Sequence, residues 1–281
     1  FACPERSNMQ GSSKNAPLQS FTEGEFYQEN FDSRVYVNSY YSRPTGHSDE
    51  SQLLPFVLRS LSKTFSSGRY KGQRLYDVGS GPSVHTLISA CEYFDEIVVS
   101  DFTDSNRQEM KKWLKKEKGC FDWSYVIQFV CEMEGKRTPE EAEENLRSRV
   151  TRVLKCDVRL ENPFQPVVLE PADCVLTSLC LEAACKDQDT YRQALKNVAS
   201  LLRPGGVLVM IGVLNETFYV VGEHRLSCLP LTQSFVKDEV GALGFSIKTF
   251  DTIPGPDKEE NQVSDFEAVF FLTAEKTTQK R

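Results

Sequence analysis

The chain has 281 residues, enough for one large α/β domain, and carries a formal net charge of −7. This acidic balance argues against a nucleic-acid partner, because phosphate binding needs a basic face. No apolar run is long enough to cross a membrane, and residues 1–17 lack the apolar core of a signal peptide. Nine cysteines without a C-x-x-C pair and three scattered histidines predict reduced thiols in the cytosol and no metal site.

Two segments precede the first predicted strand. Residues 1–20 are rich in Ser, Asn, Gln and Pro and are predicted to form a disordered tail. Residues 21–66 have a helical pattern with many aromatic side chains. This pattern fits a helical layer packed on a sheet, a lid that closes over a ligand, or both.

From residue 70 onward, strand and helix signals alternate. Strands are predicted at 73–78, 96–100, 153–156, 173–179 and 206–213, and helices at 83–93, 104–117, 139–152 and 188–202. Strands separated by helices predict right-handed crossovers and a largely parallel sheet. The strand residues are nearly all apolar, as expected where helices cover both faces of a sheet.

The C-terminal part changes character. Two short strands are predicted around a turn, at 217–222 and 223–229, followed by a helix at 232–243 and strands near 245–252 and 266–274. The stretch 254–264 has the composition of a loop. Consecutive strands joined in this way predict an antiparallel edge added to the parallel sheet.

The run Leu75-Tyr-Asp-Val-Gly-Ser-Gly-Pro-Ser83 predicts a strand that turns sharply into a helix beginning at Pro82. Gly79 and Gly81 permit a tight turn and let a ligand approach the bare backbone, and free amides at the helix start can hold a polar group. Asp101 ends the next strand, where a carboxylate can accept both hydroxyls of a ribose. The pattern therefore predicts an adenosine-containing cofactor.

NAD and S-adenosylmethionine sites both use such a turn. The NAD fingerprint needs a third glycine where Val84 stands. Asp157 ends a short strand, where it can hydrogen-bond the amino group of an adenine, and the turn ending at Gly206 leads from a helix into an apolar strand. Together these features favour S-adenosylmethionine over NAD.

Seven motifs make the similarity to one family specific: Asp77-Val-Gly-Ser-Gly-Pro82, Leu87-Ile-Ser-Ala-Cys91, Asp101-Phe-Thr-Asp-Ser-Asn106, Lys112-Trp-Leu-Lys-Lys116, Val153-Leu-Lys-Cys-Asp-Val158, Ala172-Asp-Cys-Val-Leu176 and Leu202-Arg-Pro-Gly-Gly206. With them the chain resembles the amine N-methyltransferase family that contains the phenylethanolamine, nicotinamide and indolethylamine enzymes. The resemblance implies a class I α/β fold, Rossmann-like, with a mainly parallel seven-stranded sheet and an antiparallel C-terminal edge. It further implies one methyltransferase domain over 21–281, divided into a helical lid at 21–66 and a core at 67–281 with a C-terminal substrate-binding hairpin.

The resemblance also implies which residues bind S-adenosylmethionine and its product S-adenosylhomocysteine. These are Tyr27, Tyr36, Tyr41, Gly79, Ser80, Gly81, His85, Asp101, Phe102, Asn106, Asp157, Val158 and Cys180. His85 stands where the family usually has a tyrosine.

Three acids match the phenylethanolamine subgroup, which this chain resembles most. By that resemblance Glu182 accepts a proton from the amine through a water, Glu223 holds the amine, and Asp265 binds a β-hydroxyl or shares the cation. The nicotinamide enzymes carry an aspartate where Gly212 stands. From spacing alone each acid also has a structural interpretation, as a helix first-turn acid, a solvated hairpin residue and a strand cap respectively.

Methyl transfer to an amine moves positive charge from sulfur to nitrogen, so a carboxylate beside that nitrogen stabilises the transition state. We therefore expect a monomeric enzyme that methylates a small aromatic ethylamine, first of all a phenylethanolamine, as in the conversion of noradrenaline to adrenaline. The alternatives are an arylalkylamine or indolethylamine enzyme, a nicotinamide enzyme, and an S-adenosylmethionine-binding protein without turnover. Neither a nucleic acid nor a membrane is expected as a partner.

Overall fold

The computed structural model describes residues 20–42, 52–256 and 262–278, so the tail predicted at 1–20 lies outside the described residues except at its end. The strands are β1 Gly72–Val78, β2 Phe94–Asp101, β3 Val150–Lys155, β4 Ala172–Ser178, β5 Leu202–Leu214, β6 Phe218–Val221, β7 His224–Ser227, β8 Phe245–Pro254 and β9 Ala268–Lys276. The helices are α1 Gly24–Asn30, α2 Ser33–Tyr40, α3 Leu53–Ser66, α4 Asp104–Leu114, α5 Ser124–Glu134, α6 Pro139–Arg149, α7 Leu181–Ala184, α8 Gln188–Ser200 and α9 Gln233–Ala242. Within these ranges, no helix combines the length and the apolarity that a bilayer crossing requires.

Seven strands form one mixed sheet in the order β3-β2-β1-β4-β5-β9-β8. Strands β1 to β5 are parallel, whereas β9 is antiparallel to β5 and β8 is antiparallel to β9. This confirms the predicted class I fold with its antiparallel C-terminal edge. The chain order reverses on either side of β1, and ligands of open α/β sheets bind at the carboxyl ends of strands beside such a point.

Two apolar clusters, one on each face of the sheet, form the core. Alternate residues of one strand point to opposite faces, so Leu75 of β1 packs in one cluster and Tyr76 in the other. Helices α3, α5 and α6 contribute to the first cluster, and α8 and α9 to the second. Burial on both faces explains why the parallel strands read as continuous apolar runs. The two short strands β6 and β7 form a separate antiparallel hairpin outside the main sheet.

The prediction of a helix at 83–93 is wrong. The segment instead forms two single-turn 3₁₀ helices, His85–Leu87 and Ala90–Glu92. The carbonyl of Ile88 accepts hydrogen bonds from Arg137 Nη2 at 2.5 Å and from Cys91 Sγ at 3.2 Å, so side chains take a bond that a helical amide would supply. No α-helix begins at Pro82, and the helix start that was expected to hold a polar group is absent from this segment.

Two further differences concern the segment before β3. Helix α5 was not predicted, although Val126, Ile127, Val130 and Cys131 are buried at helical spacing. Helix α6 ends at Arg149 rather than at 152, because Val150 already pairs with Ile97 as the first residue of β3. The other predicted strands and helices of the core match the structure to within a few residues at each end.

Arg137 supports the segment that replaces the predicted helix. Its guanidinium is 8% exposed and also pairs with Glu92 at 2.5 Å. We expect Arg137→Met to lower the free energy of unfolding by about 2 kcal/mol, because it leaves a buried carbonyl without its charged donor. Arg149→Met, which breaks an ion pair with the exposed Asp95, is the control and should cost less than about 1 kcal/mol. Equal losses in urea denaturation would show that Arg137 is an ordinary surface cation.

Candidate active site

A cavity opens at the carboxyl ends of β1, β2, β3 and β4, and residues of α1 and α2 also line it. All thirteen positions that the resemblance implied for the cofactor line it: Tyr27, Tyr36, Tyr41, Gly79, Ser80, Gly81, His85, Asp101, Phe102, Asn106, Asp157, Val158 and Cys180. Parallel strands bring these positions together because their carboxyl ends share one edge of the sheet. Their contacts with a cofactor stay a prediction.

The glycine turn after β1 is held against two neighbouring strands. Gly79 and Gly81 have φ values of +72° and +60°, which side chains rarely adopt. A Cβ on Gly79 would lie 2.1 Å from Cys180 Sγ, so the turn packs directly on the segment after β4. The amides of Gly79 and Ser80 both donate to the carbonyl of Ser100 at 2.9 Å. The turn therefore leaves bare backbone facing the cavity.

The Asp101 carboxylate at the end of β2 is oriented by four hydrogen bonds. Its Oδ1 accepts from Thr103 N, Thr103 Oγ1 and Asn106 Nδ2, each at 2.9 Å. Among the described residues, its Oδ2 accepts from Gly81 N alone, also at 2.9 Å. Oδ2 thus retains acceptor capacity on the cavity wall, as a ribose site requires.

Asp157 is held by a residue that the sequence interpretation missed. Arg159 donates to Oδ1 through Nε and to Oδ2 through Nη2, both at 2.9 Å. Burial favours a higher pKa for Asp157, but these bonds outweigh it and hold the pKa below its ordinary value. Arg159 also lies 3.8 Å from Glu23 and 5.6 Å from the Phe102 ring centre. An adenine amino group must therefore donate its hydrogen bond to a lone pair of the Asp157 carboxylate that Arg159 does not occupy.

An aromatic group closes the other side of the cavity. The Tyr41 ring centre lies 4.7 Å from that of His85, which also stacks on Trp123 at 6.3 Å. Burial lowers the pKa of His85 to about 3, so the ring is neutral. Its Nδ1 is buried and has no hydrogen-bond partner among the described residues. His85 itself lines the cavity, so its neutral ring forms an uncharged part of the wall.

A second acidic region lies behind two tyrosines at one end of the cavity. Tyr219 OH donates to Tyr27 OH at 3.0 Å, and both rings line the cavity. Glu216 does not line the cavity but helps to raise the pKa of Tyr27; it is 6% exposed, and its Oε1 accepts from Ser264 Oγ at 2.8 Å. Burial raises the pKa of Glu216 to about 7, although hydrogen bonds with Cys228 and Ser264 lower it.

Glu182 is the predicted acid that the structure places in this region. It lies on α7 between Cys180 and Ala183, which line the cavity, and its Oε1 accepts from Val213 N at 3.2 Å. Burial raises the pKa of Glu182 to about 7, against hydrogen bonds from the backbone. Glu182 also raises the pKa of Glu216, so the two carboxylates lie within electrostatic reach.

Neither of the other two predicted acids lines the cavity, although the charge of Asp265 also helps to raise the pKa of Glu216. Glu223 is exposed in the turn between β6 and β7, because Gly222, at φ +60°, directs the hairpin tip to solvent. The Asp265 carboxylate accepts from Thr217 N at 2.7 Å and Phe218 N at 3.2 Å, and also from the Thr217 hydroxyl. It therefore ties down the start of β6, as its alternative interpretation proposed, and the structure does not bring Glu223 to the cavity.

Glu216 is a buried acid that the sequence interpretation did not name. It follows β5 by two residues, at the same sheet edge as Asp101 and the glycine turn. That position is the signal that identifies it, because side chains just beyond a parallel strand face the ligand crevice. Glu223, next to a glycine between two short strands, has the position of a turn residue.

Comparison with known proteins gives consistent relatives. Residues 19–277 match the model of the NNMT/PNMT/TEMT family. Indolethylamine N-methyltransferase from Oryctolagus cuniculus is 47% identical over 91% of this chain and 97% of its own length, and nicotinamide N-methyltransferase from Homo sapiens is 46% identical over the same shares. Phenylethanolamine N-methyltransferase from Rattus norvegicus is 39% identical over 88% of each chain. Magnesium protoporphyrin IX methyltransferase from Synechocystis PCC 6803 shares the fold, with a TM-score of 0.57 at 11% identity over 92% of this chain and 99% of that one.

The buried Glu182 predicts how stability depends on pH. Because its pKa rises from 4.5 to about 7 on folding, the folded state holds the proton more tightly, and this stabilisation is lost as pH rises through about 7. Glu182→Gln cannot ionise, so its stability relative to the original protein should increase by about 2 kcal/mol between about pH 5 and about pH 8. Denaturant unfolding at both pH values measures this.

The control for that measurement is Glu161→Gln, which alters an exposed carboxylate. It should leave the difference between the two pH values unchanged. An equal response of both variants would mean that Glu182 is hydrated and ionises freely in the folded protein.

Proposed function

Since the chain belongs to the NNMT/PNMT/TEMT family of S-adenosylmethionine-dependent N-methyltransferases, we propose that its methyl acceptor is the amine nitrogen of a small aromatic ethylamine. One observation carries this proposal: two buried carboxylates, Glu182 and Glu216, interact electrostatically directly behind the cavity wall, where Glu182 precedes the lining residue Ala183 and Glu216 helps to raise the pKa of the lining residue Tyr27. Within the described residues neither acid pairs with a basic side chain, and such acids suit a ligand that brings its own positive charge.

The cavity fits the cofactor at three points. Asp101 Oδ2 has acceptor capacity for a ribose hydroxyl, the bare turn at Gly79 and Gly81 admits a close approach, and the neutral His85 ring lines the cavity wall. Phe102 would lie on the adenine side. When bound, S-adenosylmethionine supplies an electrophilic methyl group on a sulfonium sulfur.

The two acids have complementary tasks in the proposed reaction. An aliphatic amine reaches the site as an ammonium ion, and for a pKa about two units above the working pH its deprotonation costs roughly 2.7 kcal/mol. Glu182, with a pKa of about 7, can accept that proton near neutrality, directly or through a water. We assign the amine-holding role to Glu216 rather than to Glu223, because Glu216 is buried within electrostatic reach of Glu182, whereas Glu223 is exposed.

Gly212 argues against nicotinamide as the acceptor. A Cβ there would lie 3.0 Å from Glu182 Oε1 and 2.6 Å from the Phe270 ring. The aspartate of the nicotinamide enzymes at this position would therefore crowd Glu182 and add a third negative charge. A pyridine nitrogen also has no proton to lose, so a proton-accepting carboxylate gives it no benefit. The 46% identity to nicotinamide N-methyltransferase keeps nicotinamide as the competing candidate.

Fewer observations distinguish a phenylethanolamine from an indolethylamine as the substrate. The narrower hypothesis of noradrenaline as substrate assigned the β-hydroxyl to Asp265, whose oxygens already accept from Thr217 and Phe218. Overall identity is higher to the indolethylamine relative, at 47%, than to the phenylethanolamine relative, at 39%. We therefore propose an aromatic ethylamine and keep the phenylethanolamine as one of two ring types to be compared.

A substrate panel tests the proposed class. With purified protein and S-adenosylmethionine, we expect kcat/KM for phenylethanolamine and tryptamine to exceed that for nicotinamide by at least about tenfold, because only the amines use the acid pair. Methyl transfer is followed by mass spectrometry of the products. Preference for nicotinamide would contradict the proposal, and binding of S-adenosylhomocysteine without turnover of any acceptor would favour a non-catalytic role.

A matched pair of variants tests the role of Glu216. Glu216→Gln should lower kcat/KM for the preferred amine about 100-fold, because the developing cation loses its nearest charge. Glu223→Gln changes an exposed turn residue in the same segment and should stay within about twofold of the original protein. Both variants should bind S-adenosylhomocysteine normally in calorimetry. The reverse ranking would restore Glu223 as the amine-binding acid.

A further inference from the structure

Ser33, the first residue of α2, makes a buried hydrogen bond to α4. Its Oγ donates to Asn106 Oδ1 at 2.7 Å, and the two residues are only 3% and 5% exposed. Ser33 is one of two buried residues in α2, although it is small and polar. The helix start is capped by Asp32, which accepts from the amides of Arg34 and Val35, so the Ser33 hydroxyl is not needed for capping.

The bond continues to the carboxylate at the end of β2. Asn106 Nδ2 donates to Asp101 Oδ1 at 2.9 Å. A carboxylate can only accept, so the amide of Asn106 must turn its nitrogen toward Asp101 and its oxygen toward Ser33. Ser33 stabilises this orientation, because its hydroxyl donates a hydrogen bond to the Asn106 oxygen. One hydroxyl of α2 thus fixes the amide that fixes Asp101.

We propose that Ser33 is a positioning residue for the cofactor: acting through Asn106, it orients the Asp101 carboxylate toward the ribose hydroxyls and makes the seating of α2 part of ribose recognition. This rests on the proposed cofactor site, in which Asp101 Oδ2 accepts from the ribose. With Oδ1 fully occupied by Thr103 and Asn106, the direction of Oδ2 is set by the bonds on Oδ1. Losing one of those bonds lets the carboxylate rotate.

Two neighbouring contacts also join α2 and the residues before it to α4, but neither continues to Asp101. Ser105 Oγ donates to the carbonyl of Phe31 at 3.1 Å, and Arg34 pairs with Glu109 at 2.5 Å. Both hold α2 on α4, and neither is bonded to Asp101. Glu109→Gln therefore loosens the same interface without altering the chain of bonds to the carboxylate, which makes it a matched control.

Calorimetric binding of two ligands tests the proposal: S-adenosylhomocysteine and its 2′,3′-dideoxy analogue. The original protein should prefer the ribose form. Ser33→Ala should bind S-adenosylhomocysteine about fivefold more weakly and the dideoxy analogue nearly as before, so that the preference falls about fivefold. Ser33→Cys, which fills the same space but donates poorly, should behave alike. Glu109→Gln should keep the original preference.

Three results would overturn the inference, and they are distinguishable. Equal weakening of both ligands by Ser33→Ala would mean that Ser33 merely packs α2. An unchanged preference in both Ser33 variants would mean that Asp101 needs no support from Asn106. No preference in the original protein would remove the ribose assignment of Asp101 itself. If the original protein prefers S-adenosylhomocysteine to the dideoxy analogue but methylates no amine, the proposed substrate is rejected and the role of Ser33 is unaffected.

Discussion

The set of hydrogen bonds around one carboxylate, that of Asp101, holds the site together. It joins the turn after β1 through Gly81, the end of β2 through Thr103, and α4 through Asn106. Gly81 and the segment from Asp101 to Asn106 come from separate parts of the chain, and they meet because β1 and β2 are parallel neighbours that end at one edge of the sheet. Without the carboxylate, four backbone and side-chain donors would be left unpaired in a buried place.

The acceptor end of the cavity follows a different physical rule. Glu182 and Glu216 are buried without a lysine or arginine partner among their hydrogen bonds, and burial raises the pKa of each to about 7. Such a pair opposes folding at neutral pH, since ionisation in a poorly hydrated place is unfavourable. Under the proposed function, an arriving ammonium ion relieves this opposition, and the same two groups set both stability and substrate recognition.

Sequence reasoning predicted what depends on local pattern. The apolar strands, the glycine turn and the acids that end β2 and β3 follow from spacing and residue type, and the structure places them around one cavity. It was wrong at 83–93, where Arg137 from a distant segment takes the carbonyl of Ile88. It also named Glu223, which the structure leaves exposed, and omitted the buried Glu216, because spacing along a hairpin does not reveal which residue is buried. Both differences come from tertiary contacts that a single sequence does not display.

The β6–β7 hairpin is excluded from the main sheet, yet the residues that flank and form it include Glu216 and Tyr219. The glycine turn and Asp101 lie on strands that this insert does not pair with. The residues around this hairpin can therefore change during evolution without altering the segments that carry the glycine turn and Asp101. Enzymes with one donor and divergent acceptors can arise from such a division of labour, and so can redesigned ones.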